Sequence, residues 1–198
     1  MQPIKFLFRL FVEIIDMKKT AIYLFLLALL SVATPGLTQD KNEELIDWSS
    51  SRRLTWADYK AEPDKSSDAA AITTSYLGIQ YNFSDGKITF NIVCKFSKNK
   101  SWGLYKNAHI LEHEQGHFDI TEIFARKLNK ETSEYKFDKK SYQKDLQKIY
   151  DDVMKAKEKL QTQYDSETDF SRNKDKQAEW LVKIAKMLAD TEAYANYK

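Results

Sequence analysis

Glycine and proline are scarce in this chain, which has five glycines and three prolines among its 198 residues. Because these residues mark turns and interrupt regular structure, their scarcity predicts few tight loops and a large helical content. The sequence also lacks internal repeats and low-complexity tracts. Its length suits one domain with a hydrophobic core, and a second full domain would be a tight fit.

Cysteine is almost absent, since Cys94 is the only one. An intrachain disulfide is therefore excluded, and no cysteine lies near the N-terminus to carry a lipid anchor. The apolar neighbours of Cys94 predict a small, buried side chain rather than a metal ligand.

The chain has no marked excess of one charge, with 31 Lys and Arg against 29 Asp and Glu and a net charge of +2. Charges of both signs are spread along the sequence, which argues against nucleic acid as a partner. Seven lysines of one predicted helix are interspersed with acidic residues and are expected to form a solvated face. They are Lys139, Lys140, Lys144, Lys148, Lys155, Lys157 and Lys159.

The first 39 residues have the pattern of an export signal. Lys18 and Lys19 precede an apolar run at residues 21–33. This order is typical of a secretory signal peptide, with residues 1–16 as an upstream extension. An uncleaved anchor is the alternative, but the run is shorter than the ~20 residues of a spanning helix. We expect export to the periplasm or the medium, membrane contact only through the signal, and one mature domain at residues 40–198.

Two segments show the alternation of apolar and polar residues that is typical of strands with one buried face. They lie at residues 77–83 and 88–96, and a Ser-Asp-Gly turn signal at residues 84–86 separates them. This pattern predicts a β-hairpin. The polar residues 40–53 are interpreted as a lead-in to the domain.

The period of the apolar residues becomes helical in the C-terminal half of the chain. Helices are predicted at about residues 104–128, 139–163 and 174–193, with an acidic linker at residues 164–170. A small antiparallel sheet packed against three long helices makes the expected fold class α+β.

The first predicted helix contains the motif H-E-x-x-H, formed by His113, Glu114 and His117. On a helix His117 is turned only about 40° from His113, so two imidazoles can bind one zinc ion. Glu114 flanks this pair, where a carboxylate can accept a proton from a metal-activated water. A single histidine on an apolar helix face is more often a hydrogen-bonded core residue. Because two of the chain's three histidines have this spacing, the motif favours a metal-binding role over a structural one.

A catalytic zinc site usually has three protein ligands and one open position. The Cα atom of His109 lies about 12 Å along the helix from that of His117, so His109 is expected to be a supporting or rim residue. Asp119 and Glu122 point away from His113 on the same helix. The third ligand is therefore expected to be a carboxylate of the acidic linker. The candidates are Asp165, Glu167 and Asp169.

Further sequence boxes accompany the histidine motif. They are L-T-W-A-D-Y at residues 54–59, Ser101-Trp102, L-E-H-E-Q-G-H-F-D-I at residues 111–120, and Y-D-S-E-T at residues 164–168 followed by Gln177 and Trp180. With these boxes the chain resembles, over about residues 53–182, the family called domain of unknown function 922. That family is regarded as secreted zinc-dependent proteases. The resemblance implies a zincin-like fold with His113 and His117 as zinc ligands and Glu114 as the base.

The chain departs from the family pattern at one position. The C-terminal box of the family commonly has a histidine two residues after the threonine that matches Thr168, and Phe170 stands at that place here. This chain must then use another third ligand or bind the metal poorly. Glu167 is preferred among the linker carboxylates because it lies within the family-like box.

These features together predict an exported metallopeptidase that binds one Zn²⁺ ion and hydrolyses a peptide bond with an activated water. Tyr164 is a candidate for stabilising the oxyanion, and the hairpin edge is a candidate for binding an extended peptide. Two alternatives stay open. The protein is either a catalytically degenerate zincin-fold interaction module of the cell envelope or an amidase that acts on cell-wall peptide.

Overall fold

The computed structural model describes residues 42–84 and 87–197 of the chain. The predicted signal peptide and upstream extension, at residues 1–39, lie outside these ranges. Within them, three helices and two small antiparallel sheets form an α+β structure, which confirms the predicted fold class at this level. No helix of the described part is both long and apolar enough to cross a membrane.

The larger sheet contains strands β1 at Leu45–Asp47, β3 at Ser75–Ser84 and β4 at Lys87–Ser97, in the order β1-β4-β3. β3 and β4 form the predicted antiparallel hairpin, while residues 85–86 of its turn lie outside the described part. The lead-in at residues 40–53 contains β1, a strand that the sequence pattern did not predict. Its three residues pair with the end of β4 and extend the ladder by one strand.

A second sheet consists of two very short strands, β2 at Ala71–Ile72 and β5 at Trp102–Gly103. Two residues are too few to produce an alternating pattern, so the sequence gives no signal for either strand. The buried face of the larger sheet is the predicted apolar face, and it includes the buried cysteine. Its buried residues are Leu77, Ile92, Cys94 and Phe96.

Helix α1, at Ala108–Glu134, is the central element of the fold. It begins later than predicted because Asn107 caps it, with the side chain accepting a hydrogen bond from the Ile110 amide at 3.0 Å. The helix packs against the large sheet and both other helices. It is therefore buried on its polar side as well as on its predicted apolar face. Its buried polar residues are His113, Glu114, Gln115, Asp119, Thr121, Glu122, Arg126 and Thr132.

Helix α2 occupies Tyr142–Thr168, so the prediction of an acidic linker is wrong for residues 164–168. No glycine or proline interrupts this segment. Tyr164 and Thr168 are fully buried, and the Tyr164 ring packs against Trp180 with centroids 5.4 Å apart. Burial of these side chains continues the helix through its acidic last turn.

Helix α3 spans Lys174–Asp190, and a single 3₁₀ turn follows at Glu192–Tyr194. The side chain of Asn173 caps α3 by accepting a hydrogen bond from a backbone N–H of the first turn. Trp180 and Ile184 are its buried apolar anchors, and the helix contacts both α1 and α2.

Candidate metal centre

Three donor atoms converge where α1 faces the end of α2. The Nε2 atoms of His113 and His117 lie 3.2 Å apart, and Asp165 Oδ1 lies 3.1 Å from the first and 2.9 Å from the second. Residues four apart on a helix share a face, so α1 presents both imidazoles to α2. The structure thus brings the two predicted histidine ligands together with one of the three candidate carboxylates.

The spacing of these atoms suits one zinc ion. Ligand atoms about 2.0–2.1 Å from a tetrahedral ion stand roughly 3.3 Å from one another. The observed separations are 2.9–3.2 Å. Two imidazoles and a carboxylate are also a common catalytic donor set, which leaves a fourth position for water or substrate. The donor types and their spacing therefore fit Zn²⁺.

Gln161 holds one of the histidines in the form that a metal requires. Its Oε1 atom accepts a hydrogen bond from His117 Nδ1, and its Nε2 atom donates to the His117 carbonyl at 2.9 Å. A proton on Nδ1 leaves Nε2 free to bind a cation, which is the usual arrangement at a metal-binding histidine. By contrast, His113 Nδ1 is buried and has no hydrogen-bond partner among the described residues.

Burial and the carboxylates act in opposite directions on the protonation of the cluster. Burial lowers the pKa of His113, and the hydrogen bond with Asp165 offsets only part of this shift. Burial also lowers the pKa of His117, but Asp165 and Glu114 raise it by more. For Asp165, burial raises the pKa, whereas its contacts with the two histidines hold it well below the usual range. Asp165 is therefore an anion at neutral pH, which is the form that binds metal.

Tyr164 supports the cluster from inside the protein. Its ring stacks on His113 with centroids 4.5 Å apart, and its hydroxyl donates to the His113 carbonyl at 3.3 Å. Gly116 permits this contact, since a Cβ atom there would lie 2.6 Å from the tyrosine oxygen. Because Tyr164 is fully buried and does not line the adjoining cavity, it positions His113 and is not placed to stabilise an oxyanion.

Glu114 is buried beside the histidines and lines the same cavity. Its Oε2 atom has no hydrogen-bond partner within the part of the chain that the structure describes. Buried carboxylate oxygens are normally paired, so this atom is available to a water molecule or a substrate. The general-base role of Glu114 stays a prediction, and this position supports it.

The two other candidate carboxylates face elsewhere. Glu167 accepts hydrogen bonds from Gln163 Nε2 at 2.7 Å and from Trp180 Nε1 at 2.8 Å. Two positions along a helix rotate a side chain by about 200°, so Glu167 faces α3 when Asp165 faces α1. Asp169 follows the end of α2 and is exposed. The preferred third ligand, Glu167, is thus not part of the cluster, and Asp165 occupies that place.

His109 stabilises an unusual backbone segment next to the cluster. Its Nε2 atom donates to the Ser171 carbonyl at 2.7 Å, and Gln177 Nε2 donates to its Nδ1 atom at 3.2 Å. Residues 169–171 all have positive φ, between 48° and 72°. This conformation is costly for residues other than glycine, so contacts from outside must hold the segment. His109 is therefore a supporting residue, and the segment places Phe170 at the cavity rim.

The family model described as "Bacterial protein of unknown function (DUF922)" matches residues 38–172. The chain belongs to this family. The matched segment of this DUF922 protein contains His113, His117 and Asp165 but ends before α3. No curated protein and no solved structure shows significant similarity to the chain. The family resemblance expected from the sequence is confirmed, while the zincin-like fold and the protease activity stay predictions.

The metal-ligand candidates of the DUF922 protein open into a cavity of about 450 Å³. Strand β2 and its neighbours, at residues 69–75, form one wall. Lys157 and Gln161 of α2 also line the cavity. Phe170, which is 57% exposed, stands at the rim. The cavity is therefore bounded by a short strand, a charged helix face and one exposed aromatic ring.

Lys157 differs from the other lysines of α2 and of the segment before it. Six of the seven lysines expected to form a solvated face are exposed, but Lys157 is only 8% exposed. It precedes Gln161 by four residues and Asp165 by eight, so all three lie on the cavity side of the helix. The solvated-face prediction is thus confirmed for six lysines and wrong for Lys157.

Proposed function

We propose that this protein is an exported zinc-dependent metallopeptidase. His113, His117 and Asp165 are its metal ligands, and Glu114 is its general base. The observation that carries the proposal is the convergence of two Nε2 atoms and one carboxylate oxygen at 2.9–3.2 Å beside a buried glutamate. A zincin-like arrangement of helix and sheet is part of the proposal.

Each residue of the site has a defined task in this mechanism. When bound, zinc supplies Lewis acidity that lowers the pKa of water and polarises a carbonyl group. Glu114 accepts the proton of the attacking water through its unpartnered Oε2 atom and passes it to the leaving amine. Gln161 keeps the His117 proton on Nδ1, and Tyr164 fixes the ring plane of His113.

The substrate lies along β2 in this proposal, rather than along the hairpin edge expected from the sequence. Among the described strands, β2 pairs only with β5, and it lines the cavity beside the two histidines. An extended peptide that adds to such a strand is bound through its backbone, and the cavity selects among its side chains.

The metal content of the purified protein tests the first half of the proposal. We expect about one zinc per chain by elemental analysis, and loss of that zinc in His113→Ala. Metal-free protein whose melting temperature does not change on adding zinc or a chelator contradicts it. That result favours the interaction module, for which Phe170 in place of a histidine is the supporting observation.

Replacement of Glu114 by glutamine tests the catalytic half. Glu114→Gln keeps the shape of the side chain and removes the base, so zinc should be retained while hydrolysis of casein or a peptide library falls by about 10²–10⁴-fold. Glu112→Gln, a change at an exposed glutamate two residues earlier and outside the cavity lining, is the matched control. Equal hydrolysis by wild type and Glu114→Gln rejects Glu114 as the base. Cleavage confined to cell-wall peptides supports the amidase alternative.

A further inference from the structure

Lys157 is a largely buried lysine without an ion-pair partner among the described residues. The residue is 8% exposed and lines the cavity, and it forms no hydrogen bond or ion pair with any residue that the structure describes. Glu158 lines the same cavity, but its side chain is exposed and is not bonded to Lys157. A lysine residue is rarely buried to this extent unless it has a partner.

The cavity offers this ammonium group to a ligand. Lys157 is the only lysine or arginine among the described residues that line it. The other nearby lysines of α2, Lys155 and Lys159, are exposed to solvent. An anionic group inside the cavity would supply the charge and the hydrogen bonds that Lys157 lacks.

We propose that Lys157 forms a carboxylate-binding subsite that selects substrates with a negative charge near the cleaved bond. This proposal rests on the proposed peptidase function. The shared chemistry is a carboxylate, from either an acidic side chain or the free C-terminus of a short peptide.

Helix geometry sets the distance between this subsite and the metal centre. α2 rises about 1.5 Å per residue, so the backbone of Lys157 lies about 12 Å along the helix from that of Asp165. An extended peptide covers about 3.3 Å per residue. The selected carboxylate therefore belongs to a residue roughly two to four positions from the cleaved bond.

Matched peptide pairs test the subsite on the zinc-loaded protein. One arm compares glutamate with glutamine at each position, and the other compares a free with an amidated C-terminus. We expect wild type to cleave the carboxylate member with at least a tenfold higher kcat/KM, mostly through KM, because the subsite binds a group remote from the reaction. The arm that shows the preference identifies the source of the carboxylate.

Variants of the lysine connect this preference to the subsite. Lys157→Met keeps most of the side-chain volume and removes the charge, so the preference should disappear, whereas Lys157→Arg should keep part of it. Lys155→Met is the control on the exposed face and should behave as wild type. Wild type without a carboxylate preference, or an unchanged preference in Lys157→Met, overturns the subsite and leaves the peptidase proposal intact. The comparison of peptide pairs on the wild-type protein tests the subsite even if Lys157→Met does not fold.

Binding measurements separate the two proposals if no peptide is cleaved. Absence of cleavage counts against the peptidase function, and calorimetry with the same peptide pairs then tests the subsite alone. Binding of the carboxylate member that weakens at least tenfold in Lys157→Met, but not in Lys155→Met, supports the subsite. Equal binding of both pair members, or no binding of any peptide, overturns it.

Discussion

Asp165 and Glu167 are two residues apart, yet they face different helices. The first contacts both imidazoles and the second accepts hydrogen bonds from Gln163 and Trp180. Since α2 continues through both residues, the rotation of about 100° per residue decides which carboxylate reaches the histidines. The carboxylate that joins the histidine cluster is thus determined by the helix phase and not by the acidic composition of the segment.

Alanine variants of these two carboxylates should differ clearly in their affinity for zinc. Asp165→Ala removes a proposed ligand and should weaken zinc binding by more than about 100-fold, beyond the effect of losing a supporting contact. Glu167→Ala removes one hydrogen bond within α2 and one between α2 and α3, and should retain zinc. Competition with a fluorescent zinc chelator measures both affinities. Retained zinc in Asp165→Ala, or its loss in Glu167→Ala, contradicts the assignment of Asp165.

The role of Gln161 likewise depends on a residue of another helix, His117, with which it forms a hydrogen bond. Gln161→Ala removes the acceptor that holds the His117 proton on Nδ1, and zinc affinity should fall by about 10–100-fold. Gln163→Ala, an exposed glutamine two residues later, is the matched control and should leave the affinity unchanged. A Gln161→Ala variant with wild-type affinity in the same chelator competition would show that His117 needs no such support.

At the level of elements, α1 is surrounded by the sheet, α2 and α3, so it tolerates little change in side-chain volume. Its glycine illustrates this restriction. Gly116 lies under the Tyr164 ring, and a Cβ atom would approach the hydroxyl oxygen to 2.6 Å. A helix interior normally favours alanine over glycine by about 1 kcal/mol, but here the close approach outweighs that preference.

Gly116→Ala should therefore destabilise the fold by roughly 1–3 kcal/mol. Urea denaturation of the metal-free protein measures this change without a contribution from zinc. The double variant with Tyr164→Phe removes the nearest oxygen and should recover part of the loss. Stability equal to or above that of wild type in Gly116→Ala would show that the two helices can move apart at no cost.

At the level of the whole molecule, the proposed metal joins α1 to α2, the two longest helices. A ligand that binds only the folded state stabilises it by about 4 kcal/mol at 1,000 times its Kd. For a domain of this size that free energy corresponds to roughly 10 °C in Tm. Chelation should lower the Tm by this order, and added zinc should restore it.

The variant His113→Ala provides the control for this experiment, because it lacks one ligand and should show no response to chelator. Calorimetric scans with and without chelator measure both proteins. A wild-type Tm that is unaffected by chelator, in protein shown to contain zinc, would mean that the ion does not join the helices.

Much of the site follows from local sequence. The four-residue spacing of His113 and His117 places both rings on one helix face, and Glu114 adjoins them in the chain. The hairpin likewise follows from the period-two pattern of its strands. The position at which α2 ends could not be predicted from local sequence, because the acidic composition of the segment is typical of a linker. Burial of Tyr164 and Thr168 against α1 and α3 keeps the segment helical.

The sequence by itself determined the α+β class, the family, and the two histidines and glutamate of the motif, since these depend on residues close together in the chain. Tertiary structure alone decided that Asp165 meets the histidines and that Lys157 faces the cavity. Both residues lie on α2, more than 40 positions after His113 in the chain. The direction in which these two side chains point depends on how α2 packs against α1, and no local sequence pattern predicts that packing.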